Sequence, residues 1–150
     1  MSSDAFRNDL ALLLANNTAL ANIGSVAGLQ PSSAAGSLFI GLHTADPGQA
    51  GTDQTTNEVT VGQFTNYARV AVARTAGGWT VAGNNISNAA AINFPECSGG
   101  SGTTVTHFSV GYQTSGATKM IGSAALGSPR AVSAGITLSF AIGDLDINVT

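Results

Sequence analysis

Asp144 and Asp146 come closest to a metal-binding pair in this sequence. Carboxylates at i and i+2 on an extended segment share a face and could help hold Ca²⁺. A Ca²⁺ cage takes about 6–8 oxygens, and no further ligands are spaced to complete one. Alternation gives the simpler assignment: Asp144, Asp146 and Asn148 form a wet face, and Leu145, Ile147 and Val149 a packed one. His43 and His107 fall on separate predicted strands, and no HxH, HExxH or CxxC spacing joins them to a second ligand. Each reads as a half-buried imidazole bonded between strands. Serines abound, but no GxSxG elbow presents one as a nucleophile. Gly77-Gly78 and Ser98 to Gly102 are glycine-rich, yet neither leaves a strand and opens a helix, as a phosphate cradle does. Cys97 stands alone, which excludes an internal disulfide and a cysteine cluster; it reads as a small, semi-buried thiol. Trp79 and Tyr112 could stack on a sugar, although closing a hairpin onto the core is the simpler role for Trp79. The expectation is no catalytic residue, no metal and no cofactor.

The elements that must carry these residues are mostly strands. One helix is predicted over residues 3–22, with Phe6, Leu10, Leu13, Leu14, Leu20 and Ala21 as its apolar stripe. Ser2 or Ser3 caps its start, Asp4 suits the positive end of its dipole, and Gly24 stops it. After a linker, Leu38, Ile40 and Leu42 alternate as in a half-buried strand. Asp46-Pro47-Gly48 is a turn, Pro presetting φ and Gly accepting positive φ. Residues 49–57 then form an exposed polar loop in which Asp53 is solvated, and Val59 and Val61 add a short strand. Further strands are expected at Tyr67 to Arg74, at Trp79 to Ile86 around an Asn84-Asn85 turn, and at Ala89 to Phe94. In the strand from Thr103 to Gly111, Thr104, Thr106, Phe108 and Val110 face one way, and Val105, His107 and Ser109 the other. Lys119 to Leu126, Ile136 to Phe140 and Leu145 to Val149 complete the set. Eight to ten short strands behind one helix predict a mainly β fold. It is an antiparallel β-sandwich or a jelly-roll-like barrel with one N-terminal amphipathic helix. A single domain spans 1–150, its β part covering 36–150.

Composition narrows the function classes. Of 150 residues, 5 are Lys or Arg and 8 are Asp or Glu, so 9% are charged, against about 25% in an average soluble domain. The five basic residues are scattered and the net charge is −3, which argues against direct contact with nucleic acid. No apolar run is long enough to span a membrane, and MSSDAFRNDL lacks the basic start and apolar core of a signal peptide. The chain is expected to stay soluble in the cytoplasm unless an assembly carries it out. So sparsely charged a surface suits a protein largely covered by other subunits.

The strings LFIGLHTADPG (Leu38 to Gly48), NYARVAVAR (Asn66 to Arg74), GWTV (Gly78 to Val81), SNAAAINFP (Ser87 to Pro95) and VTHFSVG (Val105 to Gly111) occur in that order. Together they resemble a family of small tailed-bacteriophage virion structural proteins, described as tail-fibre-like or capsid decoration proteins. The resemblance covers about residues 36–150. It implies a non-enzymatic virion component, assembled in the host bacterial cytoplasm as a homo-oligomer, with a trimer expected. A compact chain without a fibre shaft points to a capsid decoration, or cement, protein that binds the major capsid protein and stabilises the head shell. The alternative is a tail-attached adaptor or short tail-fibre module that contacts the host surface, with tail proteins as its partners. The candidate assembly surface comprises Phe6 and Leu10 on the helix and Asp46, Pro47, Gly48 and Asp53 in the loop.

Overall fold

The computed structural model describes residues 1–150. A helix, α1 (Asp4–Asn16), precedes nine strands: β1 (Ser37–His43), β2 (Val70–Ala73), β3 (Trp79–Ala82), β4 (Asn85–Asn88), β5 (Ile92–Glu96), β6 (Thr103–Gly111), β7 (Met120–Val132), β8 (Thr137–Phe140) and β9 (Asp146–Asn148). They form three open sheets, ordered β2-β1-β6-β7, β3-β4-β9 and β5-β8. Every pairing is antiparallel. No sheet closes into a barrel, and the antiparallel sheets fit a sandwich-like arrangement.

Ser3 caps α1, its Oγ accepting the Phe6 N–H at 3.2 Å, and Asp4 pairs with Arg7 in the first turn. The helix ends at Asn16, short of the expected residue 22. Asn17 turns left-handed (φ 52°), and the Thr18 N–H bonds the Leu12 carbonyl at 3.2 Å. The Asn17 amide also exchanges two bonds with the Ser32 backbone, both at 2.9 Å. Leu20 therefore leaves the helical stripe and pairs with Leu29 in a small bridge. The packed face of α1 differs from the expected one as well. Ala11 and Ala15 are fully buried against β3 and β4, whereas Phe6 is 40% exposed and Leu10, Leu13 and Leu14 are half-buried. Alanines let the helix backbone come close to the strand, which leucines at those positions would prevent. Arg74 fastens the other end, donating to the carbonyls of Leu13 and Leu14 at 2.7 Å each, where a cation suits the negative end of the dipole.

Trp79, Phe64, Phe108, Phe140, Ile40, Leu42 and Leu145 lie in the core. Phe64, Tyr67, Phe94 and Phe140 form an aromatic chain with centroids 5.8, 6.3 and 6.1 Å apart. The alternation expected for β6 breaks, because Val105 and Phe108 are both buried. Val105 pairs with Arg130 but His107 with Ala125, so β7 carries extra residues there and the register slips. β7 also runs past Leu126 to Val132, through Pro129, which an edge strand tolerates. Three other expectations shift. Tyr67 to Arg69 stays outside β2, Val59 and Val61 form no strand, and the β3–β4 turn is Gly83-Asn84. Asp144 lies outside β9 and caps a turn by accepting the Ala141 N–H at 2.8 Å, so it shares no strand face with Asp146.

Candidate functional site

The loop from Thr44 to Val59 is built from its own polar side chains. Asp46 Oδ1 accepts the Gly48 N–H at 2.8 Å, and Gly48 takes φ +83°, as the turn required. Asn57 donates to the Asp46 carbonyl at 2.9 Å and closes the loop base. Asp53 Oδ1 accepts from the Thr55 N–H (2.8 Å) and hydroxyl (2.6 Å), and these bonds hold its carboxyl below the usual carboxylate range. Asp46 is exposed, Pro47 buried, and Gly48 and Asp53 intermediate. Phe6 and Leu10 ride on α1 against β3 and β4, while the loop bonds β1 and the start of β7, so these candidates occupy different elements.

Beneath the loop lies a buried polar network. His43, Gln54 and Ser109 are all fully buried. The Thr56 carbonyl can only accept, so His43 Nδ1 carries the proton and donates to it at 2.9 Å. Nε2 then accepts the Ser109 hydroxyl at 2.7 Å. Ser109 Oγ in turn accepts from Gln54 Nε2 at 3.0 Å, and the same amide donates to the Phe39 carbonyl at 3.1 Å. Two strand glycines make room for Gln54. A Cβ on Gly111 would lie 1.9 Å from its Oε1, and one on Gly41 would lie 3.2 Å from its Nε2. Burial lowers the His43 pKa, outweighing the bond to Thr56 and the charge of Glu58. Ser109 and His43 stand at the distance of a nucleophile and its base. Both are sealed from solvent, however, and Gln54 occupies the serine oxygen, so the pair fastens the loop to the sheet.

A second cluster continues the network. Arg69 forks onto Glu58 with two bonds of 2.7 Å, and also donates to the carbonyls of Gln113 (3.2 Å) and Gly116 (2.9 Å). Tyr67 Oη donates to Glu58 Oε1 and accepts the Leu42 N–H, each at 2.9 Å. Burial, with the adjacent Glu58 charge, pushes the Tyr67 phenol well above its ordinary value. Sequence reasoning placed His43 in a bonded strand position but missed Gln54, Tyr67, Arg69 and Ser109 as its setting. Gly41 and Gly111, glycines inside strands, were the signal available.

Beside the loop runs a groove of about 690 Å³. Gly48 to Thr52 form one wall, the first residues of β7 another, and β9 the third. Trp79 is buried to 1% exposure, so it offers no stacking face with Tyr112. A family model described as "Podophage GP4 fiber I protein gp80" matches residues 14–148. No curated protein matches the chain.

Proposed function

Because this chain belongs to the podophage GP4 fiber I protein gp80 family, we propose that it is a non-enzymatic structural component of a bacteriophage particle, carried on the tail as a short fibre module. The match over residues 14–148 carries this reading, since it takes in every strand of the fold. A loop fastened to its sheet by buried hydrogen bonds suits a part that holds its shape under mechanical load. Head decoration is the second reading, supported by the sparse charge of the chain, which suits a protein covered by neighbouring subunits. In either place the partners are copies of the chain itself, a trimer being the expected state, together with neighbouring particle proteins. The exposed Phe6 and the half-buried Leu10, both on α1, are the proposed assembly surface, which leaves the loop from Asp46 to Asp53 uncovered.

Antibody raised against the chain and coupled to gold, applied to intact particles, tests the location. Label at the tail is the expected result. Label distributed over the head shell favours the decoration reading, and particles without label overturn both. Sedimentation of the purified chain at three chain masses is expected for the trimer, and a monomer at all concentrations contradicts it.

A further inference from the structure

We propose that the groove between the Gly48 to Thr52 segment, the start of β7 and β9 binds a short saccharide. Its size lies within the range of about 300–1,000 Å³ common to small-molecule sites. The chemistry of its walls selects the ligand class. Gln49, Thr52, Lys119, Ser123, Asp146 and Asn148 line it. Elsewhere in the same loop, polar side chains are used internally: Asp46 on Gly48, Asp53 on Thr55, Asn57 on Asp46. Gln49 and Thr52 make no such bond, and neither do Lys119 and Ser123 on the opposite wall. Asn85 Nδ2 fixes Asp146 Oδ2 at 3.0 Å and Asn148 Oδ1 at 3.4 Å. This leaves the second carboxylate oxygen and the Asn148 amide N–H oriented but without a protein partner.

The groove thus offers donors and acceptors of both kinds, and its charged side chains are one ammonium, Lys119, and one carboxylate, Asp146. Neither charge is paired, since the chain's ion pairs are Arg7–Asp4 and Arg69–Glu58. Such walls reject a polyanion, which needs several cations, and an apolar ligand, which would leave these groups dry. They match a ring of hydroxyls, each able to donate and accept. The half-buried Ile121, with the edges of Met120 and Ile147 beside it, supplies a small apolar surface for the C–H face of a sugar ring. No aromatic ring lines the groove, so binding without stacking is expected in the millimolar range.

The site deepens the fibre reading, as a place where a host-contacting module would grip a surface glycan, yet it fails or stands on its own measurement. The test is a titration of the ¹⁵N-labelled chain with a panel of neutral trisaccharides of glucose, galactose, mannose and rhamnose, followed by amide shifts. The result expected is saturable movement confined to Gln49 to Thr52, Lys119 to Ala124 and Asp146 to Asn148. It should weaken by about tenfold or more in Asp146→Ala and in Asn148→Ala, both exposed positions whose spectra should otherwise match the parent. No shift from any sugar, shifts centred elsewhere, or binding unchanged in both variants would overturn the site. Gold label over the head combined with groove-confined shifts would discard the tail location and keep the sugar site.

Discussion

One strand glycine and one charge pair carry testable weight at the scale of single residues. Gly111 lies under the Gln54 amide, where a Cβ would stand 1.9 Å from Oε1. Gly111→Ala should displace that side chain and unmake its bonds to Ser109 and Phe39, lowering stability by about 1–3 kcal/mol. Gly127→Ala, with nothing within 4 Å of its added carbon, should cost far less. Chemical denaturation of the two variants side by side checks this, and equal losses would mean Gln54 yields freely. Glu58→Ala strands the Arg69 guanidinium, whose side chain is 2% exposed, without its partner. The expected loss is about 3–5 kcal/mol, because an uncompensated buried charge costs more than the pair contributes. A loss below 1 kcal/mol, by the same denaturation measurement, would show that water reaches Arg69. At this scale the sequence revealed the Asp46-Pro47-Gly48 turn, since its chemistry is local. It concealed the network, since Gln54 and Ser109 are ordinary polar residues until a fold brings them 3.0 Å apart across 55 positions.

At the scale of elements, the loop is bolted to β1 and β6 through a neutral imidazole, and this makes its attachment sensitive to acid. Burial depresses the His43 pKa below its usual 6.5. The unfolded chain therefore takes up a proton at a higher pH than the folded chain does. Stability from this group is complete above about pH 6.5 and is lost as pH falls from there toward the folded value. Protonation would put a hydrogen on Nε2, which now accepts from Ser109, with Arg69 and His107 adding repulsion and Glu58 opposing it. Urea midpoints measured from pH 7.5 down to pH 5 should fall, and the fall should flatten in His43→Gln; parallel curves would remove His43 as the cause. Asp53 acts at lower pH, its stabilising effect disappearing as its carboxylate protonates below the ordinary range. The N-terminal helix, its capping serine and most strands were legible from periodicity, which reports which face is apolar. The end of the helix was not, because Leu20 and Ala21 continue the 3.6-residue spacing while Asn17 leaves the helical backbone. Nor was the broken alternation of β6, which depends on extra residues in its partner β7.

The whole molecule is a sandwich-like stack of three small sheets with one helix laid against it by two alanines. Sparse charge and segment order pointed from the sequence to a phage structural family, and the family match over residues 14–148 agrees. Location on the particle was not legible, because compactness and low charge serve head and tail assemblies alike. Nor is the groove legible there, since its walls come from three separate stretches of chain. The most direct test of the fibre reading is an asymmetric cryo-electron microscopy reconstruction of the parent particle. Density fitting this fold on the tail, grouped in threes, is the expected result. Density of the same shape repeated across the capsid shell, with none on the tail, would contradict it.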